Sequence, residues 1–176
     1  TAACTPQAAP PSSDIGGPFQ LVDQDGRPAD QSILNGKWTA IYFGFTYCPD
    51  ACPTTLQALA EAKTKLGRKA GDLQVLLISV DPERDTPAAM KSYLDNSAFP
   101  PGAIGLTGTP EQVAAAAKAY KVYYKKVEVA GGDYTVDHAS IVYLMDPKGR
   151  FTQVIGHGTA PDEMARIIAA TMAKGA

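Results

Sequence analysis

Two uninterrupted apolar runs constrain the fold of this chain more than any other feature. They are WTAIYFGF, residues 38–45, and LQVLLISV, residues 73–80. Because a strand with one face in water shows alternating apolar and polar residues, a continuous apolar run predicts a strand that is buried on both faces. Between the runs, Leu56, Leu59 and Leu66 recur at helical spacing, and Pro53 suits a first helical position. This predicts a buried strand, a helix over residues 53–65 and a second buried strand.

The remaining elements continue this alternation. PFQLVDQDGRPAD predicts an N-terminal β-hairpin around the Asp25-Gly26 turn, and a later helix is expected to have Asp85 as its cap and Pro87 just inside it. Further candidates are a helix over 110–120, strands over 122–129, 140–145 and 150–155, and a final helix over 161–172. The order βαβα followed by ββα predicts an α/β protein with a thioredoxin-like fold, in which helices flank a central mixed sheet.

Length and composition favour a single domain behind a flexible tether. The chain has 176 residues, of which 45% are hydrophobic, which suits one domain with a substantial core. Residues 1–17 are rich in Pro, Ala, Ser and Gly and predict a tether, which leaves 18–176 as the domain. Cys4 lies in this tether and is interpreted as an exposed thiol, with a lipoprotein attachment site as the alternative.

Charge and hydropathy exclude two classes of function. The formal net charge is −2 and the basic residues are scattered singly, so the chain offers no basic stripe for nucleic acid. No apolar run reaches the length of about 18 residues that a membrane-spanning helix needs. These exclusions direct attention to the cysteines and histidines.

The stretch GFTYCPDACPTTL places Cys48 and Cys52 where the first buried strand meets the next helix. The partial positive charge of a helix N-terminus favours a thiolate, the form that attacks disulfides and binds metals. Three intervening residues depart from the commonest dithiol signature, which has two. A structural disulfide closing so short a loop gains little chain entropy, and this polar loop is a poor place for inert buried cysteines. A redox-active pair and a pair of metal ligands both remain open.

A second group of polar residues lies far downstream. The stretch GGDYTVDHAS predicts a tight turn and then a strand that delivers His138. The neighbouring Asp137 is a candidate to orient the imidazole, although adjacent residues on a strand point to opposite faces. Spacing alone does not show that His138 meets the cysteines. The other histidine, His157, lies between glycines after the last predicted strand and is interpreted as an exposed loop residue.

Three blocks carry a family resemblance. They are GFTYCPDACPTTL, then SVDPERDTP at 79–87, then DYTVDHASIVYLMDPKGRF at 133–151. In this order they resemble the Sco/SenC family of copper chaperones for cytochrome c oxidase assembly, over residues 18–172. The resemblance implies one copper ion, Cu(I) or Cu(II), bound by Cys48, Cys52 and His138, with Asp81 in a supporting role.

The resemblance also implies partners and a compartment. The expected partners are the copper-bearing subunit of cytochrome c oxidase, an external thiol reductant and an upstream copper donor protein. The resemblance implies attachment to a membrane surface that faces the periplasm or the mitochondrial intermembrane space, through an anchor that we expect to be absent from this chain. Two thiolates and an imidazole suit copper, whereas structural zinc sites normally have four protein ligands.

Two enzymatic alternatives use the same cysteines. In a thiol-disulfide oxidoreductase, one of Cys48 and Cys52 attacks a target disulfide and the other resolves the mixed intermediate, so His138 is dispensable. A peroxiredoxin-like peroxidase is suggested by ACPTT, residues 51–55. The threonine expected three residues before the reactive cysteine is absent, since position 49 is Pro. A copper chaperone is therefore the main prediction.

Overall fold

A computed structural model describes residues 14–49 and 51–175. Its strands and helices, in chain order, are β1 (Gln20–Asp23), β2 (Pro28–Asp30), β3 (Trp38–Gly44), α1 (Ala51–Lys65), β4 (Leu73–Ser79), α2 (Pro87–Leu94), β5 (Ile104–Thr107), α3 (Pro110–Ala119), β6 (Tyr124–Glu128), β7 (Tyr134–His138), β8 (Ile141–Met145), β9 (Phe151–Gly156) and α4 (Pro161–Lys174). Short 3₁₀ helices span Gln31–Leu34 and Gly67–Asp72.

The central sheet is mixed, as predicted. Its seven strands lie in the order β2-β1-β5-β4-β3-β8-β9. Strand β4 pairs in parallel with β3 and with β5, whereas the other neighbours pair antiparallel. All seven residues of β3 are buried. The first apolar run is therefore a central strand covered on both faces, which confirms the expectation from its pattern.

The N-terminal hairpin is also confirmed. Strands β1 and β2 pair antiparallel, and Gly26 adopts a φ of 78° in the turn between them. Asp23 fixes this turn, because its side chain accepts hydrogen bonds from the backbone N–H groups of Asp25 and Arg27. The backbone N–H of Gly16 donates to the carbonyl of Ala119, and Asp14 pairs with Lys121 at 3.7 Å, so residues 14–16 of the predicted tether contact the domain.

Sequence reasoning missed one strand of the central sheet. Strand β5 is short and contains Gly105, which weakens the strand pattern. The glycine has a packing role, because a Cβ added there would lie 2.9 Å from Cε of Met90 and 3.0 Å from Cδ1 of Leu94. Helix α2 therefore packs directly on the backbone of β5.

The remaining helices agree with the prediction to within a few residues. Helix α3 begins with a capping box, in which Thr109 accepts from the backbone of Gln112 and Gln112 accepts from the backbone of Thr109. Helix α1 packs against α4, and α3 packs against β1. Helix α1 begins at Ala51, two residues before the predicted start, so Cys52 lies within its first turn.

Strands β6 and β7 form a separate two-stranded sheet. They pair antiparallel from Tyr124 opposite His138 to Glu128 opposite Tyr134. This hairpin lies between α3 and β8 in the chain and carries His138 at its base. The histidine is thus placed by an element outside the central sheet.

We expect Gly105→Ala to destabilise the protein by about 1–3 kcal/mol, because the new methyl group overpacks the contact of α2 with β5. Urea unfolding measures this loss. The matched control is Gly71→Ala, where an added Cβ meets nothing within 4 Å. Equal stability of the two variants would contradict the packing role of Gly105.

Candidate metal centre

The two cysteines lie at the mouth of helix α1. The backbone N–H of Cys48 donates to the carbonyl of Phe45 at 3.2 Å, which turns the chain after β3. The backbone N–H of Cys52 then donates to Sγ of Cys48 at 3.4 Å. Because the first N–H groups of a helix have no partner within the helix, this sulfur satisfies one of them. The expectation that the helix N-terminus lies close to at least one sulfur is confirmed.

Cys52 occupies a buried position beneath the end of β3. Its side chain is fully buried, whereas Cys48 is half-buried. A Cβ at Gly44 would lie 2.6 Å from Sγ of Cys52, so only glycine leaves room for the sulfur. The end of β3 thus sets the position of the second cysteine through a close backbone approach.

The sequence expectation of a thiolate near the helix N-terminus did not distinguish the two cysteines, and Cys52 favours its protonated form. The hydrogen bond with Cys48 and then burial raise the pKa of the Cys52 thiol far above its ordinary value. Two neighbouring buried sulfurs can hold one proton between them in a hydrogen bond, whereas two adjacent thiolates would repel each other. The raised pKa therefore favours the neutral thiol form of Cys52.

His138, the last residue of β7, brings its imidazole close to Cys52. Its Nε2 lies 3.9 Å from Sγ of Cys52, and its Nδ1 lies 3.0 Å from the carbonyl oxygen of Ala139. A carbonyl oxygen only accepts, so Nδ1 carries the proton and Nε2 presents its lone pair towards the sulfur. The rings of Tyr42 and Phe45 pack edge-on against the imidazole, with centroids 6.0 Å and 5.7 Å away.

These three residues form one group of donors. One ligand atom each from Cys48, Cys52 and His138 lies within 4.8 Å of the other two. Within residues 14–49 and 51–175, no fourth Cys, His, Asp or Glu joins them. Two sulfurs and an imidazole suit a soft metal such as Cu(I), and also Cu(II). The half-buried Cys48 and His138 leave this group accessible on one side.

Of the two aspartates that were expected to support the site, one is exposed and the other is buried. Asp137 is exposed and lies across the hairpin from Lys125, while the imidazole of His138 turns to the carbonyl of Ala139. The expected role of Asp137 is thus corrected, because adjacent strand residues point to opposite faces. Asp81 is buried and accepts from Tyr134 Oη at 2.7 Å, which connects it to the strand that bears His138.

Sequence reasoning overlooked Asp85 as part of the site. Asp85 was expected to cap α2, but the cap is Thr86, whose hydroxyl accepts from the backbone of Ala89. The buried carboxylate of Asp85 instead accepts from Thr46 Oγ1 at 2.6 Å and from Ser79 Oγ at 2.7 Å. Burial raises the pKa of this carboxyl group. Asp85 thus fastens the chain just before Cys48 to the end of β4.

A signal for the correct cap was present in the sequence. The Thr-Pro pair of residues 86–87 matches the pair at 109–110 that begins α3, so Thr86 was the better candidate.

The other histidine is where it was expected. His157 is exposed in the turn after β9, with Nδ1 3.5 Å from Thr55 Oγ1. Cys4 lies outside the described residues.

The fold and the site together define the class, an α/β domain with a Cys-Cys-His group at the mouth of its first long helix. The family model described as SCO1/SenC matches residues 7–173. The chain therefore belongs to the SCO1/SenC family. The thioredoxin-like prediction for the fold is confirmed by the likeness to solved Sco structures.

Three similar proteins illustrate this relationship. Protein SCO1 homolog 1, mitochondrial, from Arabidopsis thaliana is 45% identical over 151 residues, which cover 85% of this chain and 45% of that protein. The crystal structure of Arabidopsis thaliana ScoI with copper bound is 42% identical, has a TM-score of 0.85, and is matched over 91% of this chain and 99% of that chain. BsSco, a Sco protein with an identified disulfide switch, is 27% identical, with a TM-score of 0.72 and coverage of 94% and 95%.

Two further facts bear on the whole protein. The chain spans about half the length of several curated relatives that it matches, 45% of the Arabidopsis protein and 48% of a yeast relative, Protein SCO2, mitochondrial. Among the helices of the described part of the chain, none combines the length and the apolar character needed to cross a membrane.

We expect copper affinity to rise with pH. The raised pKa keeps the Cys52 proton in place without metal, so a metal that binds this sulfur must displace it. The dissociation constant should fall about tenfold per pH unit for each proton released. Titration against a chelator, corrected for the chelator's own protonation, measures the slope, and a pH-independent affinity would contradict the protonated Cys52.

Proposed function

We propose that this protein is a copper chaperone. It binds one copper ion through Cys48, Cys52 and His138 and delivers it to the dinuclear copper site of cytochrome c oxidase. The observation that carries the proposal is the convergence of the three donor atoms to within 4.8 Å, although 86 residues separate Cys52 from His138 in sequence. Its relative ScoI from Arabidopsis thaliana is a copper-bound structure in the same family.

The exposure of the donors suits a carrier. Cys52 is fully buried and lies against Gly44, which gives one fixed ligand. Cys48 and His138 are half-buried, so an incoming ligand of another protein can reach a metal from their side. Copper would then leave by ligand exchange with an acceptor rather than by dissociation into water. A closed structural site would offer no such approach.

The partners and the compartment that we propose come from the family to which the chain belongs. The acceptor is the copper-bearing subunit of the oxidase, and BsSco is described as a member of a family of cytochrome c oxidase assembly proteins. An upstream copper donor protein supplies the metal. We place the protein, tethered to a membrane, in the periplasm or the intermembrane space, since the Arabidopsis relative is named mitochondrial. Because such compartments oxidise thiols, an external reductant must keep both cysteines reduced.

The first test is an anaerobic titration of the reduced protein with Cu(I) against a competing chelator. We expect one tightly bound copper per chain. Cys48→Ser and Cys52→Ser should abolish tight binding, because each removes a thiolate ligand. His138→Ala should weaken Cu(I) binding and change the Cu(II) spectrum. His157→Ala is the matched control, since this exposed histidine lies outside the group. Unchanged binding in His138→Ala would contradict the three-ligand site.

A second function, thiol-disulfide reduction, is favoured by the two neighbouring cysteines at the mouth of α1 and by the disulfide switch identified in BsSco. In this reaction one thiolate attacks a target disulfide and the other cysteine resolves the mixed disulfide. Two electrons and two protons pass to the target, and Cys48 and Cys52 become a disulfide.

Reduction of a disulfide in a peptide from the oxidase subunit, followed by thiol labelling, tests this reaction. We expect both Cys→Ser variants to lose turnover and His138→Ala to keep it, because the imidazole is not needed for exchange. Dependence of reduction on His138 would contradict a purely dithiol reaction. Retention of reduction without tight copper binding would instead make the pair a redox centre.

A further inference from the structure

The hairpin of β6 and β7 decides where His138 lies. This hairpin is a separate two-stranded sheet, and an isolated two-stranded hairpin is marginally stable in water. Its connection to β8 fixes its base, where His138 pairs with Tyr124. Between its two ends, Val136 is buried and Lys126 pairs with Glu83 at 2.9 Å. The contacts made by the other end of the hairpin complete the attachment of β7 to the body of the protein.

Arg84 holds that other end. Its guanidinium lies between two tyrosine rings, with Cζ 3.7 Å from the centroid of Tyr134 and 4.4 Å from the centroid of Tyr47. Tyr134 is the first residue of β7, and Tyr47 directly precedes Cys48. Arg84 thus contacts both segments that carry donors of the metal centre. Cation–π contacts on two faces also shield it, and only 15% of its side chain is exposed.

Hydrogen bonds fix the orientation of this guanidinium. Its Nε donates to Asp81 at 2.5 Å, and its Nη1 donates to the backbone carbonyl of Tyr134 at 3.0 Å and to Asp133 at 3.3 Å. Tyr134 Oη donates to the second oxygen of Asp81. We refer to Arg84, Asp81, Tyr134 and Tyr47 as the Arg84 clamp.

The geometry of β7 connects the clamp to His138. Tyr134, Val136 and His138 are alternate residues and share one face, and Val136 is buried while its neighbour Asp137 is exposed. Tyr134 on this face meets Arg84, and His138 on the same face meets Cys52. At about 3.3 Å per residue, these two contacts are roughly 13 Å apart along a single strand. Lifting Tyr134 would tilt the strand and move the imidazole away from the sulfurs.

We propose that Arg84 is a positioning residue of the metal centre, which holds the hairpin of β6 and β7 and the segment before Cys48 together so that His138 faces the two cysteines. Arg84 does not touch the metal. The effect on copper rests on the proposed function, whereas the effect on the hairpin does not.

A guanidinium is required for this role. It is planar, so it stacks between two rings, and its fork donates in several directions at once. A lysine keeps the charge but neither the stack nor the fork. Arg84→Lys therefore separates charge from geometry, and Arg84→Met removes both charge and fork while keeping a long side chain.

The test compares copper binding in Arg84→Met, Arg84→Lys and the parent protein. We expect both variants to bind Cu(I) about ten- to a hundredfold more weakly, as changes behind the direct ligands of a metal typically do. The Cu(II) spectrum should shift towards that of His138→Ala. In the His138→Ala background, Arg84→Met should weaken copper binding no further, because it acts through His138. Additive losses, or the affinity and spectrum of the parent, would overturn the proposal.

The matched control is Arg150→Met. Arg150 also pairs through Nε with a carboxylate, Asp146 at 2.9 Å, but it lies beyond the end of β8 that is remote from His138. This control should bind copper like the parent protein.

Tyr47→Leu provides a second variant in case Arg84→Met does not fold, because Tyr47 is 61% exposed and stacks on one side only. It should shift the Cu(II) spectrum in the same direction.

Amide hydrogen exchange of the copper-free protein gives an independent measurement. Arg84→Met should speed exchange at residues 124–138 and leave β3 and β4 unchanged, whereas Arg150→Met should leave the hairpin unchanged. If the parent protein binds no copper, the proposed function fails, and faster hairpin exchange still supports the clamp. Unchanged exchange in the hairpin of Arg84→Met would overturn it.

Discussion

The parallel pairing of β3 with β4 is the constraint on which the site depends. Its register places Gly44 opposite Ser79, and the backbone N–H of Val80 donates to the carbonyl of Gly44 at 2.8 Å. Because parallel strands end at the same edge of a sheet, the loop with the cysteines and the loop with the aspartates emerge side by side. Asp85 then joins them, since it accepts hydrogen bonds from both Thr46 and Ser79.

The antiparallel neighbour of β3 brings in the third donor. Strand β8 pairs with β3 with Val142 opposite Tyr42, so the residues just before β8 lie beside the end of β3. His138 is four residues before Val142 and packs against the Tyr42 ring. The end of β3 thus sets the positions of the two cysteines, and Gly44 there admits the sulfur of Cys52. Through β8, the same strand also brings the base of the hairpin that carries His138 beside them.

Sequence patterns predicted the elements that bury apolar surface locally, and they failed where a residue's role depends on pairing across the chain. The runs at 38–45 and 73–80 announce β3 and β4 by composition alone. Strand β5 was not predicted, because Gly105 interrupts its apolar pattern. A glycine is needed there because α2 packs against its backbone. Asp85 looks like a helix cap in sequence, and only the register of β3 with β4 shows that Thr46 and Ser79 surround it. The family resemblance implied that His138 meets Cys52, but spacing alone did not show it, because the contact depends on β8 lying beside β3.

The buried position of Cys52 links the protonation of this thiol to metal binding. The hydrogen bond with Cys48 and burial together raise the pKa of this thiol, so its protonated form suits the metal-free protein. A metal replaces that proton and supplies the positive charge that a buried thiolate lacks. The free energy needed to deprotonate Cys52 is therefore offset only when a metal binds the thiolate. On the proposed function, ligand exchange at the accessible Cys48 and His138 would start the transfer, and reprotonation of Cys52 would favour its completion.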